Sequence, residues 1–65
     1  MSTRHETQRR LDYALKDVDN AQDLVAKTGM LYAESHPNIE SCARAVYTLG
    51  ESYKGAIATL KEVIG

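Results

Sequence analysis

Three basic side chains crowd the opening stretch MSTRHETQRR, where Arg4, Arg9 and Arg10 stand against Glu6 alone and His5 adds a charge when protonated. Tyr13 follows within one turn, and on a helix it lies between Arg9, Arg10 and Lys16, with Lys27 on the same stripe two heptads later. An aromatic ring beside a lysine or arginine can stack a nucleobase while the cation holds a phosphate. A second group of this kind occurs in AVYTLGESYKGAIATL, where Tyr47, Lys54 and Lys61 share a helix face with Gly55 and Arg44 lies at its edge. Gly55 would leave a shallow floor there for a flat ligand. These residues make Arg9, Arg10, Tyr13, Lys27, Arg44, Tyr47 and Lys54 the candidate ligand-binding set. The bland reading stands beside it, because charge runs along helices usually form a solvated face.

Catalytic chemistry finds little in the same sequence. His5 belongs to a terminal turn, His36 precedes Pro37, and Cys42 is the one cysteine. No acid, base or nucleophile stands in a constellation that would activate it. No His and Cys spacing matches a metal site. The chain reads as a non-enzyme that needs no cofactor and no metal.

A chain of 65 residues makes at most one domain and buries too little surface to be comfortable as a single layer. One cysteine provides no disulfide, so self-association is the remaining means of stabilisation. A lone thiol suits a reducing compartment, and no apolar run is long enough for a signal peptide or a membrane span, which points to the cytoplasm. Eight Lys and Arg against nine Asp and Glu give no global attraction for polyanions, so anion binding must come from a local patch.

Two helices must position these residues. Thr3 and Glu6 fit a capping box, and from Leu11 the row Leu11, Ala14, Val18, Ala21, Val25, Thr28, Tyr32 alternates steps of three and four. That is a heptad seam, and it predicts a first helix over about 3–35 with Gly29 as its weak point. The connection falls at about 35–38, where Pro37 pushes His36 out of helical geometry and itself suits a first turn. A second seam runs Ile39, Cys42, Val46, Leu49, Tyr53, Ala56, Leu60, Val63 and predicts a second helix over about 38–64. The fold class is therefore all-α, an antiparallel helical hairpin, with Val25 near Leu49, Ala21 near Tyr53 and Ala14 near Leu60.

Beside that second seam runs a further row, Ala43, Gly50, Ile57 and Ile64, at intervals of seven, and Ala45, Ser52 and Thr59 lie on the other flank. A helix with so much small and apolar surface belongs inside a bundle. This row, together with Tyr53 of the seam itself, is assigned to the boundary between copies in a homo-oligomer, most simply a two-fold four-helix bundle.

Glu34 and Pro37, then Ala45, Leu49 and Glu51, and finally Ala56, Ala58 and Leu60 stand in a pattern that resembles the hairpin domain of phage anti-CBASS and anti-Thoeris proteins. The polar, Arg-bearing lead HETQRRLDY is similar in kind. Gly55 and Ile57 stand near positions where that family often carries Trp and Asn. The resemblance implies an oligomeric sponge that binds a cyclic-oligonucleotide or ADP-ribose-type immune signal in the host cytoplasm without cleaving it. The alternative is a helical interaction module. The length and double heptad are similar to plasmid copy-number hairpins that bind RNA loops, and GAIATL to helical co-chaperones of secretion needle subunits.

Overall fold

A computed structural model describes residues 3–65, which form α1 (Thr3–Tyr32) and α2 (Pro37–Ile64) with no strand among the described residues. The helices pack against each other as an antiparallel hairpin whose backbone extends 53 × 16 × 8 Å. Acid-before-base pairs one turn apart support both helices, Asp23 with Lys27 at 2.9 Å on α1 and Glu40 with Arg44 on α2.

The connection is built by its local chemistry. α1 ends at Tyr32, three residues before the expected end, and a turn over 33–35 follows, closed by the His36 amide donating to the Tyr32 carbonyl at 2.8 Å. The Tyr32 and His36 rings meet edge to face, 5.6 Å between centroids. His36 takes an extended φ of −140° and Pro37 opens α2, so the missing proline N–H costs no intrahelical bond. At the far end Gly65 adopts φ +73° and donates its amide to the Lys61 carbonyl, a left-handed cap that a side chain would strain.

The seam between the helices departs from the expected one by a rotation of each helix. α1 turns Gln22 and Gly29 inward, the two residues of that helix that are buried, while Ala21 and Thr28 stay exposed. α2 turns Ala43, Gly50, Ile57 and Ile64 toward α1, so the row assigned to a boundary between copies packs inside its own chain. On α2 most of the residues expected to fill the hairpin seam are left outside, whereas Leu11, Ala14, Val18 and Val25 of α1 stay half-buried. Leu49 is 70 % exposed, Val63 79 % and Tyr53 57 %, and Val46 and Leu60 are about half exposed. Longitudinal register is closer to expectation, since Gly29 meets Ala43 and Gln22 meets Gly50, within two residues of the predicted pairs.

Close approach explains which row won. A Cβ built on Gly29 would stand 3.1 Å from the Ala43 Cβ, and one on Gly50 would stand 2.7 Å from Gln22 Nε2. The Gln22 amide lies across Gly50 and donates to the Tyr47 carbonyl at 2.8 Å, a position that any side chain at residue 50 would contest. Gly55 differs, since nothing beyond its own helix lies within 4 Å of a Cβ placed there. Gly55→Ala is expected to add about 1 kcal/mol through helix propensity and to raise the melting temperature by roughly 4–8 °C. Thermal melts followed by circular dichroism check this, and an unchanged or lower midpoint would show that the bare backbone at Gly55 serves another purpose.

The rotation gives the hairpin two unlike broad faces. On one, ion pairs cross between the helices, Asp19 to Lys54 at 2.6 Å and Asp12 to Lys61. On the other, the Leu11-to-Tyr32 row of α1 and the Cys42-to-Val63 row of α2 lie side by side, with a shallow groove between Val18, Val25 and Val46. Among the described residues the apolar side chain that is buried is Ile57, 6 % exposed.

Candidate functional site

Near the connection, on the face that carries the ion pairs, the close contact of Gly29 with Ala43 lets the backbones converge and leaves a hollow above them. Ala26 and Met30 of α1, Ala33 of the turn and Glu40, Arg44 and Tyr47 of α2 complete its walls, around a volume of about 300 Å³. That volume is at the small end of ligand pockets. Its floor is aliphatic, its polar groups are gathered on the α2 side, and the backbone carbonyl of Tyr47 accepts the Gln22 hydrogen bond.

Arg44 donates to Glu40 Oε1 from one turn away, so both charges belong to the rim of the hollow. A guanidinium fixed by a carboxylate presents its remaining N–H groups in a defined direction. It can hold a phosphate or the acceptor edge of a base, whereas Glu40 can take a ribose hydroxyl or an amino group and repels a second anion. Lys27 lies beside the hollow, on the surface that Met30 and Leu31 share, and pairs with Asp23.

The other candidate residues are elsewhere. Arg9, Arg10 and Tyr13 sit on the first turns of α1, at the level where Gln8 donates to the Lys61 carbonyl at 3.0 Å. Along the helix axis that is roughly 30 Å from Arg44 at 1.5 Å per residue. Arg9 approaches Glu6 at 4.0 Å, Arg10 makes no ion pair among the described residues, and Tyr13 is exposed. Lys54 is half-buried at mid-length, bound to Asp19 at 2.6 Å and Glu51 at 3.5 Å. The hydrogen bond to Asp19, with the charges of Asp19 and Glu51, raises its pKa above the usual lysine value against the opposing effect of burial. Within one chain the candidate set therefore splits into a connection-end group, Lys27, Arg44 and Tyr47, an open-end group, Arg9, Arg10 and Tyr13, and Lys54 between them.

Glu40, Ala26 and Met30 were not among the sequence candidates. The signal for Glu40 was its i,i+4 spacing to Arg44. Nothing in the spacing of Ala26 and Met30 marked them, because they wall the hollow only through the rotation of α1. Among the described residues no group of three or more His, Cys, Asp or Glu side chains is placed to hold a metal ion, and no helix is long and apolar enough to cross a membrane. Compared with family models, curated proteins and solved structures, the chain matches none.

Proposed function

We propose that the chain is a non-enzymatic, self-associating helical module that binds a nucleotide-derived signal, of the cyclic-oligonucleotide or ADP-ribose type, and holds it without cleaving it in the cytoplasm of a phage-infected host. The observation that carries this reading is the hollow of about 300 Å³ with an aliphatic floor, a tyrosine wall and an arginine at its rim. An apolar floor with one aromatic wall accepts the faces of a base, and a rim guanidinium accepts a phosphate. Self-association would let each copy present the same hollow at a symmetric position.

Calorimetric titration with cyclic dinucleotides, cyclic trinucleotides, ADP-ribose derivatives and short RNA hairpins tests the reading. Arg44→Ala is expected to weaken binding about tenfold, the value of a lost charge-assisted hydrogen bond. Glu40→Gln should strengthen it by a few-fold, because it frees the guanidinium and removes the repelling charge. The ligand should be recovered intact after the protein is heated. Silence across the panel, or recovery of a hydrolysed product, overturns the proposal. A second reading, a module for a macromolecular partner, is favoured by the uncharged rows on the opposite face and predicts binding that ignores Arg44.

A further inference from the structure

Among the described residues the opposite face of the hairpin is covered only in part: Leu11, Ala14, Val18 and Val25 of α1 are half-buried, and the α2 row from Cys42 to Val63 is exposed. Its two rows, Leu11 to Tyr32 on α1 and Cys42 to Val63 on α2, include none of the 17 charged side chains of the sequence. Contiguous apolar surface of this extent marks an interaction site in a soluble chain. Among the described residues Ile57 is the one buried apolar side chain, a thin core for a chain of this length.

We infer that this face is covered by a second copy of the chain, related by a two-fold axis parallel to the helices, so that α1 of each copy lies over α2 of the other. The inference deepens the self-association proposed above and is independent of any ligand. Two observations select this occupant and arrangement.

The first is self-complementarity. The α1 row alternates valines with small residues, Ala14, Ala21 and Thr28, whereas the α2 row carries Leu49, Tyr53 and Leu60. An isologous interface needs one half of the patch to fit the other half, and a small row against a large row does so only when α1 crosses to α2. Two-fold symmetry along the helices leaves every residue at its own level. Since Gly29 stands level with Ala43 and Gln22 with Gly50, Ala21 of one copy arrives between Leu49 and Tyr53 of the other, and Thr28 between Cys42 and Val46. Small side chains thus enter the spaces between large ones, as in knobs-into-holes packing.

The second observation is size. The face measures 53 × 16 Å, long enough to accommodate the roughly 800 Å² that each partner contributes to a standard specific interface.

Two measurements test the arrangement, and neither depends on ligand binding, so a failed titration leaves them standing. Analytical ultracentrifugation of the wild-type chain at about 20 μM should give twice the 7.2 kDa chain mass or an even multiple of it. Leu49→Glu should raise the dissociation constant at least about 100-fold by placing a charge at the centre of the face, while Thr48→Glu, on the outer side of α2, should leave the mass unchanged. The second measurement uses a Cys42→Ser background. Chains with Ala21→Cys and chains with Leu49→Cys, mixed and oxidised with glutathione disulfide, should form a covalent heterodimer, and either chain alone should not. A folded wild-type monomer, an unchanged mass for Leu49→Glu, or cross-linking of the Ala21→Cys chain with itself in place of the mixed pair would each overturn the inference.

Discussion

Gly50→Leu is expected to destabilise the chain by about 2–3 kcal/mol, with overpacking as the main cause. A Cβ at residue 50 would already stand 2.7–2.9 Å from three atoms of Gln22, and the Gln22 amide cannot withdraw without giving up its bond to the Tyr47 carbonyl. Leucine would regain about 1 kcal/mol of helix propensity relative to glycine, and the lost hydrogen bond would cost about the same, so steric displacement decides the outcome. The test of cause is a double-mutant cycle. Gln22→Ala removes the obstructing amide, and in that background the leucine should cost much less, with a coupling of 1 kcal/mol or more by the usual size of interactions between touching residues. Urea denaturation followed by circular dichroism measures all four corners. Additive effects would show that the amide is not what excludes a side chain from residue 50.

Ile57→Ala carries the second large effect. Ile57 is the apolar side chain buried between the helices, and its truncation is expected to cost about 2–4 kcal/mol, from lost transfer free energy and from a cavity that two rigid helices can close only in part. Leu31→Ala is the matched control. Leu31 is 80 % exposed on the outer side of α1, and its truncation should stay within about 0.5 kcal/mol of the parent chain. Equal losses at the two positions would mean that the hairpin seam does not run through Ile57. Both variants should be measured at one protein concentration, because an associating chain has a concentration-dependent midpoint.

Two helices, their antiparallel pairing and the connection at Pro37 were legible in the sequence, because each depends on local chemistry. Steps of three and four keep a continuous side on a helix, a proline displaces the residue before it from helical geometry, and a short connection leaves no choice but antiparallel neighbours. The register followed from the same constraint. The chemical character of Arg44 and Tyr47 was also visible, but their meeting at one hollow was not, since it needs Gly29 and Ala43 to draw the backbones together.

What only the tertiary structure decided was which of two neighbouring rows on α2 faces α1. Both rows have helical periodicity, so periodicity could not separate them. The alternating steps of three and four pointed to Val46, Leu49, Tyr53 and Leu60, while the structure turns Ala43, Gly50 and Ile57 inward and leaves the bulkier row outside. Small residues let helix axes approach closely, and close approach multiplies dispersion contacts along the seam in a way that a hydrophobicity count does not register. Gln22 shows the same limit from the other side. A glutamine scores as a surface residue in any one-dimensional reading, yet its long side chain fills the space that Gly50 leaves and its amide satisfies a backbone carbonyl there, a fit that exists only once both helices are in place.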